Sequence, residues 1–196
     1  MKRVLILNYG AGNLFSVARA FEALGALSEI SEEPYKILRA DLVVLPGVGH
    51  FSVLAQSLEK GLGGTLMERL NLGGKILGIC LGMHILYEGS QEAPGFRGMG
   101  IFPGEVLAFP QGMRVPHLGW NTIRETSADW LRDFRGKRLY FAHSYYCPPP
   151  GDATTEHEGI DFASVIKQDR VIGIQFHPEK SGPEGLEFLR RILSWK

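Results

Sequence analysis

Cys80 stands in a glycine-framed segment, Gly78-Ile79-Cys80-Leu81-Gly82, and an imidazole and a carboxylate stand two residues apart at His177-Pro178-Glu179. A thiol, a base to take its proton and an acid to orient that base are the parts of nucleophilic acyl transfer. Residues 75–79 read as a buried strand and 81–87 as the start of a helix, which would make Cys80 a nucleophile elbow. Gly78 and Gly82 would leave room where the helix passes close to the strand. The sulfur would then lie over a helix N-terminus, whose dipole and free N–H groups favour a thiolate. The oxyanion of a tetrahedral intermediate also needs donors. The amide of Leu81 is one source, and the loop Pro46-Gly47-Val48-Gly49 offers others through Gly47 and Val48. Alone, Cys80 would more often be a small core residue, His177 a hydrogen-bonded loop histidine and Glu179 a solvated acid. Their combination carries the reading.

The elements that must position these groups follow from apolar patterning. Residues 4–7 form an all-apolar run stopped by Gly10 and Gly12, after which Asn13 is placed to cap a helix with Leu14, Val17, Ala18, Phe21 and Leu24 on one face. Residues 41–45 repeat the strand, the loop 46–49 closes it, and Leu54, Leu58 and Leu62 continue at helical spacing. Continuous rather than alternating apolar strands joined by helices predict a parallel sheet covered on both faces. Sites in such sheets lie at the C-terminal strand ends, so the loops at Asn8, Pro46 and Cys80 should be neighbours. Further on, 162–167 and 171–176 predict an antiparallel hairpin, and Pro183 opens a last helix with Leu186, Leu189, Ile192 and Leu193 on its apolar face. The expected fold is α/β, with a mixed, largely parallel sheet flanked by helices, flavodoxin-like, with an antiparallel part in the C-terminal half. The length of 196 residues fits one domain, 1–196, with a sizeable core.

Composition limits the partners. Lysine plus arginine and aspartate plus glutamate number 21 each, so no net field is available to hold nucleic acid or an anionic membrane. The basic start is followed by an apolar run too short for a signal peptide, and no stretch is long enough to span a bilayer. With two cysteines, Cys80 and Cys147, one of them the proposed nucleophile, both read as reduced thiols of a cytoplasmic protein. The six histidines show no paired ligand spacing for a metal, and His50 and His157 read as surface residues.

In this order, Pro46-Gly47-Val48-Gly49, Gly78-Ile79-Cys80-Leu81-Gly82-Met83 and His177-Pro178-Glu179 resemble the class I (triad) glutamine amidotransferases over essentially the whole chain. The resemblance implies hydrolysis of the glutamine side-chain amide through a cysteinyl thioester, without a cofactor. Cys80 would be the nucleophile, His177 the general base and acid, and Glu179 its orienter. Gly49, His84, Glu92, Ser144 and Tyr145 would hold the substrate: Glu92 its ammonium, the Ser144-Tyr145 backbone its carboxylate. His84 departs from the family, which usually has glutamine there; imidazole cannot reproduce both ends of an amide.

Asn8-Tyr9-Gly10-Ala11-Gly12-Asn13, Pro116-His117-Leu118-Gly119-Trp120-Asn121, residues 140–146 and Lys180-Ser181 are similar to one branch of the family, the glutaminase subunits of imidazole glycerol phosphate synthases. That similarity implies a heterodimer with a (β/α)8-barrel cyclase subunit, which uses the ammonia to turn the intermediate PRFAR into imidazole glycerol phosphate and AICAR. Asn13, Trp120, Asn121 and Lys180 would lie at or near the interface, and the loop 46–49 would act as a switch by flipping a glycine peptide. A stand-alone cysteine hydrolase and the glutaminase of another ammonia-using synthase are the competing functions; a non-catalytic scaffold sits poorly with an intact triad.

Overall fold

The computed structural model describes residues 1–10 and 12–195. Strand β1 (Arg3–Leu7) leads to helix α1 (Leu14–Glu22), β2 (Leu27–Ser31), α2 (Pro34–Arg39) and β3 (Leu42–Leu45). Asn13 holds the N-cap position of α1, but its side chain makes no capping bond there, which corrects the expected cap. Helices α3 (Phe51–Ser57) and α4 (Gly63–Asn71) are joined by a π-helical turn, Leu58–Leu62, in which Gly61 takes a φ of 117°. The spacing through Leu54, Leu58 and Leu62 therefore crosses a kink, and only Leu54 of the three is fully buried.

Strand β4 (Ile76–Ile79) delivers Cys80, and α5 (Leu81–His84) follows at once. The helix expected over 81–87 stops at His84 because Tyr87 opens β5 (Tyr87–Ser90), which pairs with β6 (Phe102–Ala108) through Tyr87↔Phe102 and Gly89↔Glu105. Strands β7 (His117–Thr122), β8 (Glu125–Thr126), β9 (Arg138–His143), β10 (Tyr145–Tyr146), β11 (Ala153–His157), β12 (Ile160–Gln168) and β13 (Val171–Ile174) come next, and α6 (Gly182–Ser194) closes the chain. Pro183 stands in the first turn of α6, as expected. The buried face of α6 also includes Phe188.

Eight strands form one sheet in the order β2-β1-β3-β4-β13-β12-β11-β8. Neighbours from β2 through β13 are parallel, and those from β13 through β8 are antiparallel. The expected hairpin is thus β12–β13, its first strand starting two residues earlier than anticipated. Strands β1 and β3 read as unbroken apolar runs because both faces are covered. Val4, Ile6, Val44, Leu77 and Ile79 pack with Val17 and Phe21 of α1 and with Phe188 and Ile192 of α6. Leu5, Leu7, Val43 and Leu45 pack with Ile37, Leu54 and Leu66 on the other side. Each such side chain, removed from water, stabilises the fold by about 1.5–3 kcal/mol. Two small sheets, β10-β6-β5 and β7-β9, complete the strands, and β9 hands its C-terminal residues to the edge where Cys80 emerges.

Candidate active site

Four strands end at one place. Pro46 follows β3, Cys80 follows β4, His177 lies just past β13, and His143 ends β9. Backbone bonds stitch these ends together, Cys80 N donating to Ile174 O at 2.7 Å and His177 N to Tyr140 O at 2.8 Å. Tyr9, in the loop after β1, donates its hydroxyl to Pro46 O. The loops at Asn8, Pro46 and Cys80 are neighbours, as the strand pattern implied.

Cys80 has φ 51° and ψ −106°, a conformation that costs a side-chain-bearing residue energy and is held by its surroundings. The surroundings are backbone. A Cβ at Gly78 would lie 2.2 Å from Gly82 O, and one at Gly82 2.0 Å from Leu45 O, so strand and helix touch only because both positions lack side chains. Gly47 is pressed in the same way: a Cβ there would meet Ile79 O at 1.7 Å and Leu81 N at 2.7 Å. Alanine at position 47 would push the elbow itself, so it cannot serve as a mild probe of loop motion. Helix α5 is one turn long, Met83 N and His84 N both donating to Cys80 O, so the dipole below the sulfur is that of a single turn.

His177 Nδ1 and Glu179 Oε1 are 3.0 Å apart, with both side chains buried. With Nδ1–H donating to the carboxylate, Nε2 is left free for the sulfur and has no hydrogen-bond partner among the described residues. Burial opposes the charged ring, yet the charge of Cys80 and the bonds from Cys80 and Glu179 outweigh it and raise His177 to about 10. The ring therefore holds a proton readily at neutral pH when the sulfur beside it is charged.

A cavity of about 250 Å³ opens over the sulfur, lined by Gly47, Val48, Gly49, Cys80, Leu81, His84, Glu92, Ser144 and Tyr145 among others. These include all the residues expected to hold oxyanion and substrate. Glu92 reaches it while Oε2 accepts from Phe51 N at 3.0 Å, which anchors the carboxylate at the start of α3. His84 is buried, and its Nε2 lies 2.8 Å from Gln175 Oε1. Gln175 in turn donates from Nε2 to Cys80 Sγ at 3.6 Å. Gln175 was missed in the sequence; the available signal was a polar side chain inside the apolar run 171–176, two residues from His177.

The wall formed by Ser144 and Tyr145 is held by a second unanticipated group. Asn121 Nδ2 donates to His117 Nε2 at 3.0 Å, His117 Nδ1 to His143 Nε2 at 2.9 Å, and His143 Nδ1 to Tyr145 O at 2.8 Å. Each neutral ring in this chain donates from Nδ1 and accepts at Nε2. His157, half-buried, stacks on this group, its ring 4.3 Å from that of His117 and its Nε2 2.8 Å from Arg114 O. His50 is exposed.

Of the expected interface residues, Asn13 and Lys180 are exposed and Trp120 is 48% exposed. Lys180 Nζ sits 5.8 Å from the centre of the Tyr140 ring, and Trp120 meets the same ring edge-on at 6.2 Å. Asn121 departs from that group: its amide turns inward, to His117 and to Glu156 O at 2.9 Å. Among the described residues, no helix is long and apolar enough to cross a membrane.

Comparison with known proteins agrees with this geometry. The sequence profile described as "Glutamine amidotransferase class-I" matches residues 5–194. The protein named imidazole glycerol phosphate synthase subunit HisH from Methanopyrus kandleri is 45% identical over 198 residues, covering 98% of each chain. Its namesake from Thermus thermophilus is 44% identical over 190 residues, covering 95% of this chain and 94% of the other. Among solved structures, one titled "Structure of PurLQS from Thermotoga maritima" superposes with a TM-score of 0.74 at 17% identity, covering 98% of each chain. Another, titled "Crystal structure of glutamine amidotransferase", gives 0.72 at 15% identity, over 96% of this chain and 97% of the other. These last two speak for the fold. By profile, by sequence and by fold, the chain belongs to the class I glutamine amidotransferase family, in the branch of the HisH subunits.

Proposed function

We propose that residues 1–196 form one amidotransferase domain that hydrolyses glutamine to glutamate and ammonia through a Cys80 thioester. The ammonia passes to a (β/α)8-barrel cyclase subunit, bound as a heterodimer in the cytoplasm, which converts PRFAR to imidazole glycerol phosphate and AICAR in histidine biosynthesis. The observation that carries the chemistry is the buried pair of His177 and Glu179 behind a strained Cys80, at the base of a cavity rimmed by the 46–49 loop.

With its proton already on His177, the sulfur attacks the side-chain carbonyl carbon of glutamine. The oxyanion that forms is met by N–H groups of Leu81 and of the loop containing Gly47 and Val48. Leu81 is the first residue of its helix, so its amide has no partner inside it. Collapse breaks the C–N bond, and His177 gives its proton to the departing ammonia. The acylated sulfur no longer carries the charge that raised the histidine, so the ring stays neutral, takes a proton from water, and hydroxide attacks the thioester. Glu92 is the acid for the substrate's ammonium, and the Ser144–Tyr145 backbone receives its carboxylate; Gly49 lines the same cavity. Exposed Trp120 and Lys180 on either side of the half-buried Tyr140 ring, with Asn13, are the face offered to the cyclase, and similarity to subunits named for that synthase supports it.

Glutamate release by the purified chain, alone and with a barrel cyclase plus PRFAR, tests this. Strong stimulation by the partner, abolished by Cys80→Ala, is expected. Hydrolysis that ignores the partner would move the chain to another ammonia-using enzyme, and hydrolysis that survives Cys80→Ala would remove the thioester.

A further inference from the structure

We propose that Gln175 is a sulfur-holding residue of this active site and that His84 is the positioning residue that aims its amide, so that His84 acts on the nucleophile rather than on the substrate. The inference rests on Cys80 being the nucleophile.

A buried amide must find partners at both ends of its side chain. Gln175 is fully buried one residue past β13, its backbone N bonded to Ser164 O at 3.0 Å. Oε1 faces His84 Nε2 at 2.8 Å. A carbonyl oxygen only accepts, so Nε2 of His84 carries the proton and donates. Burial keeps that ring neutral, lowering it to about 4. With Oε1 committed, the NH2 end can only turn the other way, and what it meets is Cys80 Sγ at 3.6 Å.

The second contact of the sulfur sets the contrast. Sγ lies 3.7 Å from Ala142 O, a partner useful only while sulfur keeps its hydrogen. An N–H donor serves the opposite state, because a thiolate accepts better than a thiol. The two contacts therefore favour different protonation states, and Gln175 favours the reactive one. Besides His177, the titratable groups whose charge acts on this sulfur or on His84 are Tyr9, Cys147 and His143, and burial keeps these three neutral. Glutamine at position 84 would also be able to donate to Oε1, so the family's usual residue and the histidine found here can share this task.

The test uses the full chain without glutamine. Alkylation of Cys80 by iodoacetamide is followed against pH by mass spectrometry, which separates it from Cys147, whose thiol burial pushes up. Gln175→Leu and Gln175→Met, either of which suffices if the other fails to fold, should raise the midpoint by about one pH unit and slow alkylation about tenfold below it. His84→Phe should move it the same way by less and lower kcat with KM little changed, and His84→Gln should restore the parental midpoint. A parental midpoint in the folded Gln175 variants overturns the inference. So does a His84→Phe variant with raised KM and an unmoved midpoint, which would make His84 a substrate ligand. If Cys80→Ala loses hydrolysis while these midpoints stay put, the inference alone falls; if Cys80→Ala keeps hydrolysis, the reading beneath it falls too.

Discussion

His177 and Glu179 work as a unit because each leaves the other one function. The carboxylate occupies Nδ1 at 3.0 Å, so the ring can meet sulfur only through Nε2. Glu179→Gln keeps the shape but lets an amide present its NH2 to Nδ1, which stabilises the wrong tautomer. The expected loss in kcat is on the order of 10²–10⁴-fold, by analogy with the same change in serine triads, with KM little altered. The charge on His177 also leaves a signature in stability. An unfolded histidine titrates near 6.5 and this one at about 10, but since the ring's proton is drawn from the sulfur, the folded pair holds more protons than the unfolded one only once an unfolded cysteine has ionised too, near about 8.5. The stabilisation is therefore level up to about pH 8.5 and disappears as pH rises through 10. Urea unfolding at pH 6 and pH 10 should show this decline, and Cys80→Ala should shrink it, since the sulfur's charge is the largest cause that raises the ring.

At the scale of elements, the site is an agreement among strand ends that meet backbone to backbone at Gly47, Gly78 and Gly82. The elbow was legible in the sequence because a strand, a turn and a helix are contiguous there, and small residues three to four apart report a close crossing. The role of Gly47 was legible only in part. As a loop glycine it suggested a flexible donor of N–H groups, whereas it is wedged against Ile79 O and Leu81 N. Gly47→Ala is therefore expected to destabilise the fold by about 3 kcal/mol, at the upper end for overpacked cores, and to abolish glutamine hydrolysis with and without the cyclase. Thermal unfolding and a glutaminase assay check both; a variant as stable as its parent and merely altered in its response to the partner would restore the switch assigned to this loop. The early end of α5 has a similar origin. Apolar residues ran on through Tyr87, but whether they continued a helix or entered a strand depended on β6, more than a dozen residues away.

At the scale of the whole molecule, three buried histidines among the described residues are held in neutral form. His84 and His117 are lowered to about 4 and His143 well below its ordinary value, burial being the first cause for each. Unfolded, all three bind a proton below about pH 6.5, so stability is intact above that value and declines as pH falls toward 4. Each tenfold change in proton affinity corresponds to about 1.4 kcal/mol, so the loss is on the order of a few kcal/mol for His84, and His117 and His143 add to it in the same direction. Thermal unfolding from pH 7.5 to 4.5 should show it, and replacing His117 and His143 together by phenylalanine should flatten the curve if the double variant folds.

These histidines mark the boundary between what the chain states locally and what folding decides. The strand-to-helix turn at Cys80, the pairing of His177 with Glu179, the α/β alternation and the antiparallel hairpin were readable because each is written in a short contiguous stretch, where the strand period or a tight turn leaves its mark. That Gln175 bonds His84, 91 residues away, that Asn121, His117 and His143 brace the Ser144–Tyr145 wall, and that His157 stacks on His117, followed only from the order of the strands. A two-residue period records which side chains share a face, but it is silent on which strand lies alongside. Partners so distant in sequence are chosen by the packing of the entire sheet.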